Sequence, residues 1–124
     1  MNIRIATRKS ELALWQANHV AAVLTKLPEI KNVTLVPLST KGDQILDTSL
    51  QKIGGKGLFI KELEVAMHDN IADIAVHSMK DMPVILPHDF CIAATLERES
   101  PFDALVSRDN QKLKELPPGA VIGS

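Results

Sequence analysis

The chain has 124 residues, of which 45% are hydrophobic and only 3% aromatic, so it can bury an aliphatic core for one domain and part of another. Its formal net charge is −1, which argues against nucleic-acid binding, because nucleic-acid-binding proteins carry a clear basic excess. The single cysteine, Cys91, cannot form an intramolecular disulfide and favours a reducing, cytoplasmic location. We find no secretory signal and no apolar run of membrane-spanning length, so we expect no membrane partner.

The first third of the chain predicts a strand, a helix and a second strand. Residues 3–7 alternate apolar and polar, as a strand does. From Ser10 the apolar residues recur every three or four positions, which predicts a helix that Ser10 caps and Pro28 ends. Its apolar face comprises Ala13, Ala17, Val20, Leu24 and Leu27. Residues 33–38 predict a second strand, in which Pro37 favours an edge position or a strand end.

The middle third contains a long irregular segment, a helix and a strand. Residues 39–57 show no clean period and predict a functional or mobile loop. Residues 58–69 predict a helix whose apolar face comprises Phe59, Leu63, Ala66 and Met67. Residues 71–76 are apolar on both faces, which is typical of a central, buried strand of a parallel sheet.

The last third predicts further strands and one short helix. The strands are predicted at 90–95, 103–107 and 120–124, and the helix near 110–116. We predict a first domain at 1–97, a crossover at 98–103 and the beginning of a second domain at 104–124. Strands that alternate with helices predict an α/β fold, with a mixed, mostly parallel sheet and helices on both faces. Because the last strand runs into a turn where the sequence stops, we expect a fragment of a longer protein.

Polar side chains cluster where two predicted strands end. The cluster after the first strand contains Arg8 and Ser10, and the cluster after residues 71–76 contains His77, Ser78, Lys80 and Asp81. Ligands of such sheets bind at the carboxyl ends of the strands, so both clusters should meet at one edge. Asp81 suits a general acid, a base or a partner for a developing cation, and it equally suits a helix cap in an ion pair.

Two further residues are weighed as metal ligand and nucleophile. His77 has no second His or Cys at ligand spacing, so a hydrogen-bonded histidine is favoured over a metal ligand, and we predict no metal site. Cys91 lies in a predicted strand, where core packing is favoured over a nucleophilic role.

The segment GGKGLF, residues 54–59, contains Lys56 among glycines but is not a Walker loop, because Leu50 stands where that motif needs its first glycine. At a helix N-terminus this segment favours an anion, with a flexible hinge as the alternative. The cations near the predicted edge are Arg8, Lys9, Lys41, Lys52 and Lys56. Together they indicate a site for a small polyanion, and the planar fork of Arg8 suits carboxylates. The alternative is an ordinary solvated loop.

Four segments of the chain, in one order and register, carry a family resemblance. They are IATRKSELALWQA (5–17), LSTKGDQILD (38–47), GGKGLFIKELEVAM (54–67) and ADIAVHSMKDMP (72–83). They resemble the N-terminal half of the hydroxymethylbilane synthases, also called porphobilinogen deaminases, and the resemblance runs from about residue 3 to residue 124. It implies a cytoplasmic, mostly monomeric transferase that joins four porphobilinogen molecules with release of ammonia, giving hydroxymethylbilane in haem biosynthesis.

The resemblance also implies a fold, a cofactor and site residues. The family has three domains, the first two similar to type II periplasmic binding proteins, and a dipyrromethane cofactor attached through a cysteine of the third. Asp81 matches the catalytic carboxylate, which contacts pyrrole N–H groups and stabilises the azafulvene cation formed as ammonia leaves. Cofactor contacts match at Ser78, Lys80 and Asp81, and contacts to the acetate and propionate arms match at Arg8, Ser10 and Lys56. The resemblance further places Asp43 in a mobile lid and Phe59 beside the pyrrole rings.

The chain also departs from the family. It lacks the paired arginines that follow VIG and the third domain with its attachment cysteine, a position that Cys91 does not match. We therefore expect the fragment alone to be inactive, and its uncovered sheet edge to favour self-association or pairing with the missing part. The alternative function is a small-molecule binding module for anions or amino acids, which the same fold also serves.

Overall fold

The structure, a computed structural model, describes residues 1–40 and 60–123. The chain divides into two units, Met1–Phe90 and Cys91–Ser124. The elements of the first unit are β1 (Asn2–Arg8), α1 (Glu11–Leu24), β2 (Asn32–Leu38), α2 (Lys61–His68), β3 (Ile74–Ala75) and a 3₁₀ turn at Met79–Asp81. Within the described ranges, no helix is long and apolar enough to cross a membrane.

The three strands form one parallel sheet in the order β2–β1–β3. β2 pairs with β1 along its whole length, from Asn2 opposite Asn32 to Arg8 opposite Leu38. In the described part of the chain β2 therefore lies at an edge of the sheet, the position that Pro37 favours. Two parallel strands joined through a helix define an α/β architecture.

β3 is shorter and less central than the pattern of residues 71–76 predicts. Only Ile5 with Ile74 and Ala6 with Ala75 pair in register, although the N–H of Val76 also donates to the carbonyl of Ala6 at 3.1 Å. The prediction of a central strand is wrong for the described sheet, because β1 occupies the middle and leaves β3 at the other edge. Of the apolar residues in this segment, Ala72 is buried, Ile71 is exposed, and Ile74, Ala75 and Val76 are half-buried.

Helix α1 begins where the sequence predicts and ends earlier. The Ser10 side chain accepts a hydrogen bond from the N–H of Ala13 at 3.4 Å, and Glu11 lies in the first turn, where a negative charge suits the helix dipole. Ala13 and Ala17 are buried, as the predicted face requires. The helix ends at Leu24, and Leu27 is 47% exposed, so this last residue of the predicted face does not belong to it.

Helix α2 contributes two of the four buried residues of a cluster on one side of β1. Leu63 and Ala66 pack with Ala6 and Ala72, and all four are almost completely buried. Met67 is partly buried against this cluster, so Leu63, Ala66 and Met67 form the face that the periodicity predicts. Residues 41–59, including Phe59 and the predicted loop at 39–57 from its third residue onward, lie outside the described residues.

Consecutive residues of β1 contact the two helices in turn. Ala6 packs into the cluster of α2, whereas the hydroxyl of Thr7, which is fully buried, donates to the carbonyl of Ala13 in α1 at 3.1 Å. Because side chains along a strand alternate between the two faces, α1 and α2 cover opposite faces of the sheet.

An ion pair joins β1 to the segment that leads into β3. The Arg4 side chain donates to both Asp73 carboxylate oxygens, at 2.8 and 3.1 Å, and its backbone N–H donates to the same carboxylate at 2.7 Å. Arg4 also donates to the carbonyl of Asn70, whose φ of 57° lets the chain turn at the end of α2. The guanidinium lowers the pKa of Asp73 to about 2, through these hydrogen bonds first. We call this group, Arg4 with Asp73 and Asn70, the clamp.

The described part of the second unit, residues 91–123, does not contain the predicted strands. Residues 91–106 and 116–123 form no helix or strand, and only two 3₁₀ turns, Arg108–Asn110 and Leu113–Glu115, lie between them. The predictions of strands at 90–95, 103–107 and 120–124 and of a helix near 110–116 are therefore wrong for the described residues. The physical reason is that a strand forms only when another strand accepts its hydrogen bonds, and this unit provides none. Cys91, predicted to pack in a core, is consequently exposed.

Substitution of Asp73 by asparagine tests the clamp. A carboxylate whose folded pKa is about 2, below an unfolded value of about 3.9, stabilises the fold above about pH 4, and this stabilisation is lost as the pH falls towards about 2. We expect D73N to melt at a lower temperature than the wild type at neutral pH, and this difference to shrink across that window. Circular dichroism melts would measure it, with the exposed carboxylate variant D89N as the control. A difference that does not change with pH would contradict the assignment.

Truncation of Leu63 tests the core on the α2 side. Leu63 is 0% exposed, so L63A leaves a cavity and should lower the free energy of unfolding by about 2–5 kcal/mol. Val65 on the same helix is 49% exposed, and V65A should cost less than about 1 kcal/mol. Urea denaturation of the two variants would compare them, and equal losses would show that α2 does not pack as described.

Candidate functional site

A pocket of about 250 Å³ lies at the carboxyl edge of the sheet. Its polar lining comes from Arg8, Ser10 and Gln16 on one side and from His77, Ser78, Lys80 and Asp81 on the other. Leu12, Ala13 and Val76 complete it with apolar groups. Both predicted polar clusters therefore contribute to one pocket.

The fold places these groups because two parallel strands end side by side. β1 ends at Arg8, and Ser10 then starts α1, so both residues are held at the mouth of the pocket. After β3 the chain enters the short turn, in which the N–H of Asp81 donates to the carbonyl of Ser78 at 3.0 Å. This turn fixes the half-buried Asp81 at the same edge as Arg8.

Each predicted site residue except Lys56 lines this pocket. The residues brought together are Arg8, Ser10, Ser78, Lys80 and Asp81. Lys56 lies outside the described residues, as do Lys41, Lys52, Asp43 and Phe59. Lys9 is exposed and does not line the pocket.

The pKa of His77 depends on its burial and on the charges of the pocket. Burial lowers the pKa of its imidazole, the negative charge of Asp81 acts in the opposite direction, and the positive charge of Arg8 lowers the pKa further. The imidazole is therefore neutral at neutral pH and can accept or donate a hydrogen bond. Among the residues that the structure describes, no three His, Cys, Asp or Glu side chains are grouped to hold a metal ion.

Gln16 is the pocket residue that the sequence reasoning missed. Its side-chain amide lies 3.0 Å (Nε2) and 3.2 Å (Oε1) from the hydroxyl oxygen of Ser78, 62 positions away in the chain. The available signal is its place in α1, next to the buried Ala17 and one turn after Ala13, where an uncharged polar residue borders the buried face.

The pocket combines charges of both signs with hydroxyl and amide groups. Arg8 and Lys80 suit the carboxylates of a ligand, and Asp81 suits an N–H donor or a positive charge that develops during a reaction. These features are those of an α/β domain with a polar pocket at the carboxyl edge of a parallel sheet, the edge at which such domains bind ligands.

Comparison with known proteins agrees with this class and narrows it. Residues 3–124 match the family described as "Porphobilinogen deaminase, dipyromethane cofactor binding domain". The chain is 62% identical over 123 residues to the porphobilinogen deaminase of Dichelobacter nodosus and 59% identical over 122 residues to that of Nitrosomonas europaea, in each case over 98% of the chain. The enzyme of Burkholderia pseudomallei is 53% identical over the same share of the chain. The chain belongs to the porphobilinogen deaminase family.

The chain spans only part of these relatives. It covers 40% of the Dichelobacter and Nitrosomonas proteins and 37% of the Burkholderia protein. The family match includes the whole described pocket, because all lining residues lie between positions 3 and 124.

Two opposite shifts in the pKa of His77 would verify the electrostatics of the pocket. Asp81 raises this pKa and Arg8 lowers it, so we expect D81N to move the pKa down and R8Q to move it up. Titration of the imidazole protons by NMR would measure both shifts, with the exposed His68 and His88 as internal references. Shifts of the same sign in the two variants would show that the two charges do not face His77 as described.

Proposed function

We propose that the full-length protein is a hydroxymethylbilane synthase, a transferase that condenses four porphobilinogen molecules with release of ammonia. The observation that carries this proposal is the placement of Asp81 in one pocket with the cations Arg8 and Lys80. Family membership supports it, since the matched relatives are porphobilinogen deaminases. We further propose a cytoplasmic location, with which the free thiol of Cys91 is consistent.

The chemistry of the substrate fits the groups of the pocket. Porphobilinogen carries two carboxylate arms, a pyrrole N–H and an aminomethyl group. Arg8 and Ser10 are the residues we assign to the carboxylate arms, because a guanidinium and a hydroxyl both donate to carboxylate oxygens. Lys56 shares this assignment through the family resemblance alone.

Asp81 is the residue we assign to the chemical step. When the C–N bond of the protonated aminomethyl group breaks, the bonding electron pair leaves with the nitrogen as neutral ammonia, and the positive charge moves from that nitrogen onto the pyrrole. A fixed carboxylate in a partly enclosed pocket stabilises that charge more than water does, because its orientation costs nothing at the moment of reaction. Neutral His77 beside it adds no competing positive charge.

The pocket also fits the dipyrromethane that the family description names. A dipyrromethane with acetate and propionate arms presents several carboxylates and two pyrrole N–H groups. The carboxylates can pair with the cations of the pocket, and the N–H groups can donate to the Asp81 carboxylate. We assign Ser78, Lys80 and Asp81 to hold it. When bound, the cofactor supplies the pyrrole end to which substrate units are added.

The finer features of the fold belong to the same proposal. We propose that the parallel sheet, with α1 and α2 on its two faces, is part of a domain similar to type II periplasmic binding proteins. A second similar domain would begin near residue 104, after the crossover at 98–103. The parallel pairing and the edge pocket support this assignment.

Neutralisation of Asp81 tests the proposed function. In the full-length protein we expect D81N to reduce the rate of ammonia release from porphobilinogen by at least about a hundredfold, because the developing cation loses its fixed counter-charge. The matched control, D89N, removes an exposed carboxylate of the same unit and should keep its activity. Ammonia release and tetrapyrrole absorbance would be followed together.

Two results would contradict this assignment. Full activity in D81N would remove Asp81 from the chemical step, and a wild-type protein that releases no ammonia would remove the proposed reaction. We also expect the 124-residue chain alone to show no sustained turnover, because most of the length of its relatives is missing from it.

A further inference from the structure

The hydroxyl of Ser78 does not form a hydrogen bond within its own turn. Ser78 stands at the N-cap of the Met79–Asp81 turn, where a serine side chain usually accepts a hydrogen bond from its own turn. It makes no such bond here, whereas Ser10 at the start of α1 does make the local bond. The Ser78 hydroxyl instead contacts the amide of Gln16 across the pocket.

Gln16 controls what Ser78 can offer to a ligand. A hydroxyl has one proton to donate and two positions at which it can accept. If the Gln16 oxygen accepts that proton, Ser78 can only accept from a ligand. If the Gln16 Nε2 group donates to Ser78, the proton of the hydroxyl is available to a ligand carboxylate. Both contacts lie within hydrogen-bond distance, with Gln16 Nε2 3.0 Å and Gln16 Oε1 3.2 Å from the Ser78 hydroxyl oxygen, so the geometry is compatible with either arrangement.

The charge of the pocket selects between these two arrangements. Arg8 and Lys80 line the same pocket and favour an anionic ligand. An anion that lies near Ser78 attracts the hydroxyl proton. The Gln16 Nε2 group then donates to the Ser78 hydroxyl oxygen. The hydrogen bond that Gln16 donates to the Ser78 oxygen thus strengthens the hydrogen bond that Ser78 donates to the anion, since hydrogen bonds in a chain polarise one another.

We propose that Gln16 is a positioning residue that directs the Ser78 hydroxyl, as a donor, towards a carboxylate of the pyrrole ligand. This inference rests on the proposed function for the nature of the ligand. It adds Gln16 to the residues that determine ligand binding. It also explains why Ser78 leaves its own turn uncapped.

The test uses the full-length protein prepared without its cofactor and a dipyrromethane with acetate and propionate arms. This probe has no aminomethyl group, so it binds without reacting, and calorimetry measures its affinity. We expect Q16M and S78A each to weaken binding about tenfold, as the loss of one hydrogen bond to a charged group does. The double variant Q16M/S78A should be no weaker than S78A, because Gln16 acts only through Ser78.

A second double-mutant cycle, of Q16E with S78A, separates the effect of the Ser78 hydroxyl from the effect of a charge at position 16. Q16E can only accept the Ser78 proton, so it should turn the hydroxyl away from the ligand and weaken binding more than Q16M does. It also adds a negative charge, which repels the ligand whether or not Ser78 is present. The loss caused by Q16E should therefore be larger with Ser78 present than in the S78A background.

The control is N18L, which changes an exposed amide of α1 that does not line the pocket and should leave the affinity unchanged. Full additivity of Q16M and S78A, in a wild type that binds the probe, would overturn the role of Gln16. A wild type that neither binds the probe nor releases ammonia from porphobilinogen would instead overturn the proposed function.

Discussion

The position of β1 between two parallel neighbours is the constraint on which the rest of the first unit depends. It pairs with β2 along its whole length and with β3 over a short stretch, so both of its edges are used. Its faces are used as well, by Ala6 on the side of α2 and by Thr7 on the side of α1. Parallel pairing brings the ends of β1 and β3 to the same edge, and only for this reason do Arg8 and Asp81 lie in one pocket.

The pocket combines charges of opposite sign. The imidazole of His77 shows this arrangement, because Asp81 and Arg8 change its pKa in opposite directions. A site with a single sign of charge would bind any small anion or cation. Under the proposed function, carboxylate arms and pyrrole N–H groups on one ligand would engage charges of both signs, which is compatible with the formal net charge of −1 of the chain.

The features that could be predicted from the sequence depend on neighbours in the chain or on the rule for strand ends. The Ser10 cap and the buried Ala13 and Ala17 follow from local helix chemistry. The meeting of Arg8 with Asp81 follows from the carboxyl-edge rule for parallel sheets, which needs no knowledge of distances. The family resemblance supplied the roles of these residues, and those roles stay predictions.

The features that could not be predicted depend on partners far away in the chain. The segment at 71–76 has the composition of a central strand, but its burial is decided by what pairs with its outer edge. The apolar runs after residue 90 have strand-like composition and no partner strand in their unit. Gln16 was missed because its contact with Ser78 spans 62 positions, and no local pattern encodes such a distance. The domain boundaries at 97 and 104 stay predictions.

The clamp has a consequence for how this protein can fail. Arg4 and Arg8 lie four residues apart on one strand, yet the first holds Asp73 and Asn70, and the second lines the pocket. A destabilising substitution at Arg4 would reduce the number of folded molecules in a cell and leave the pocket lining of each folded molecule unchanged. A substitution at Arg8 would instead change the lining of the pocket directly. Measurements of protein level beside total activity would therefore show whether a defect on this strand acts on folding or on the pocket.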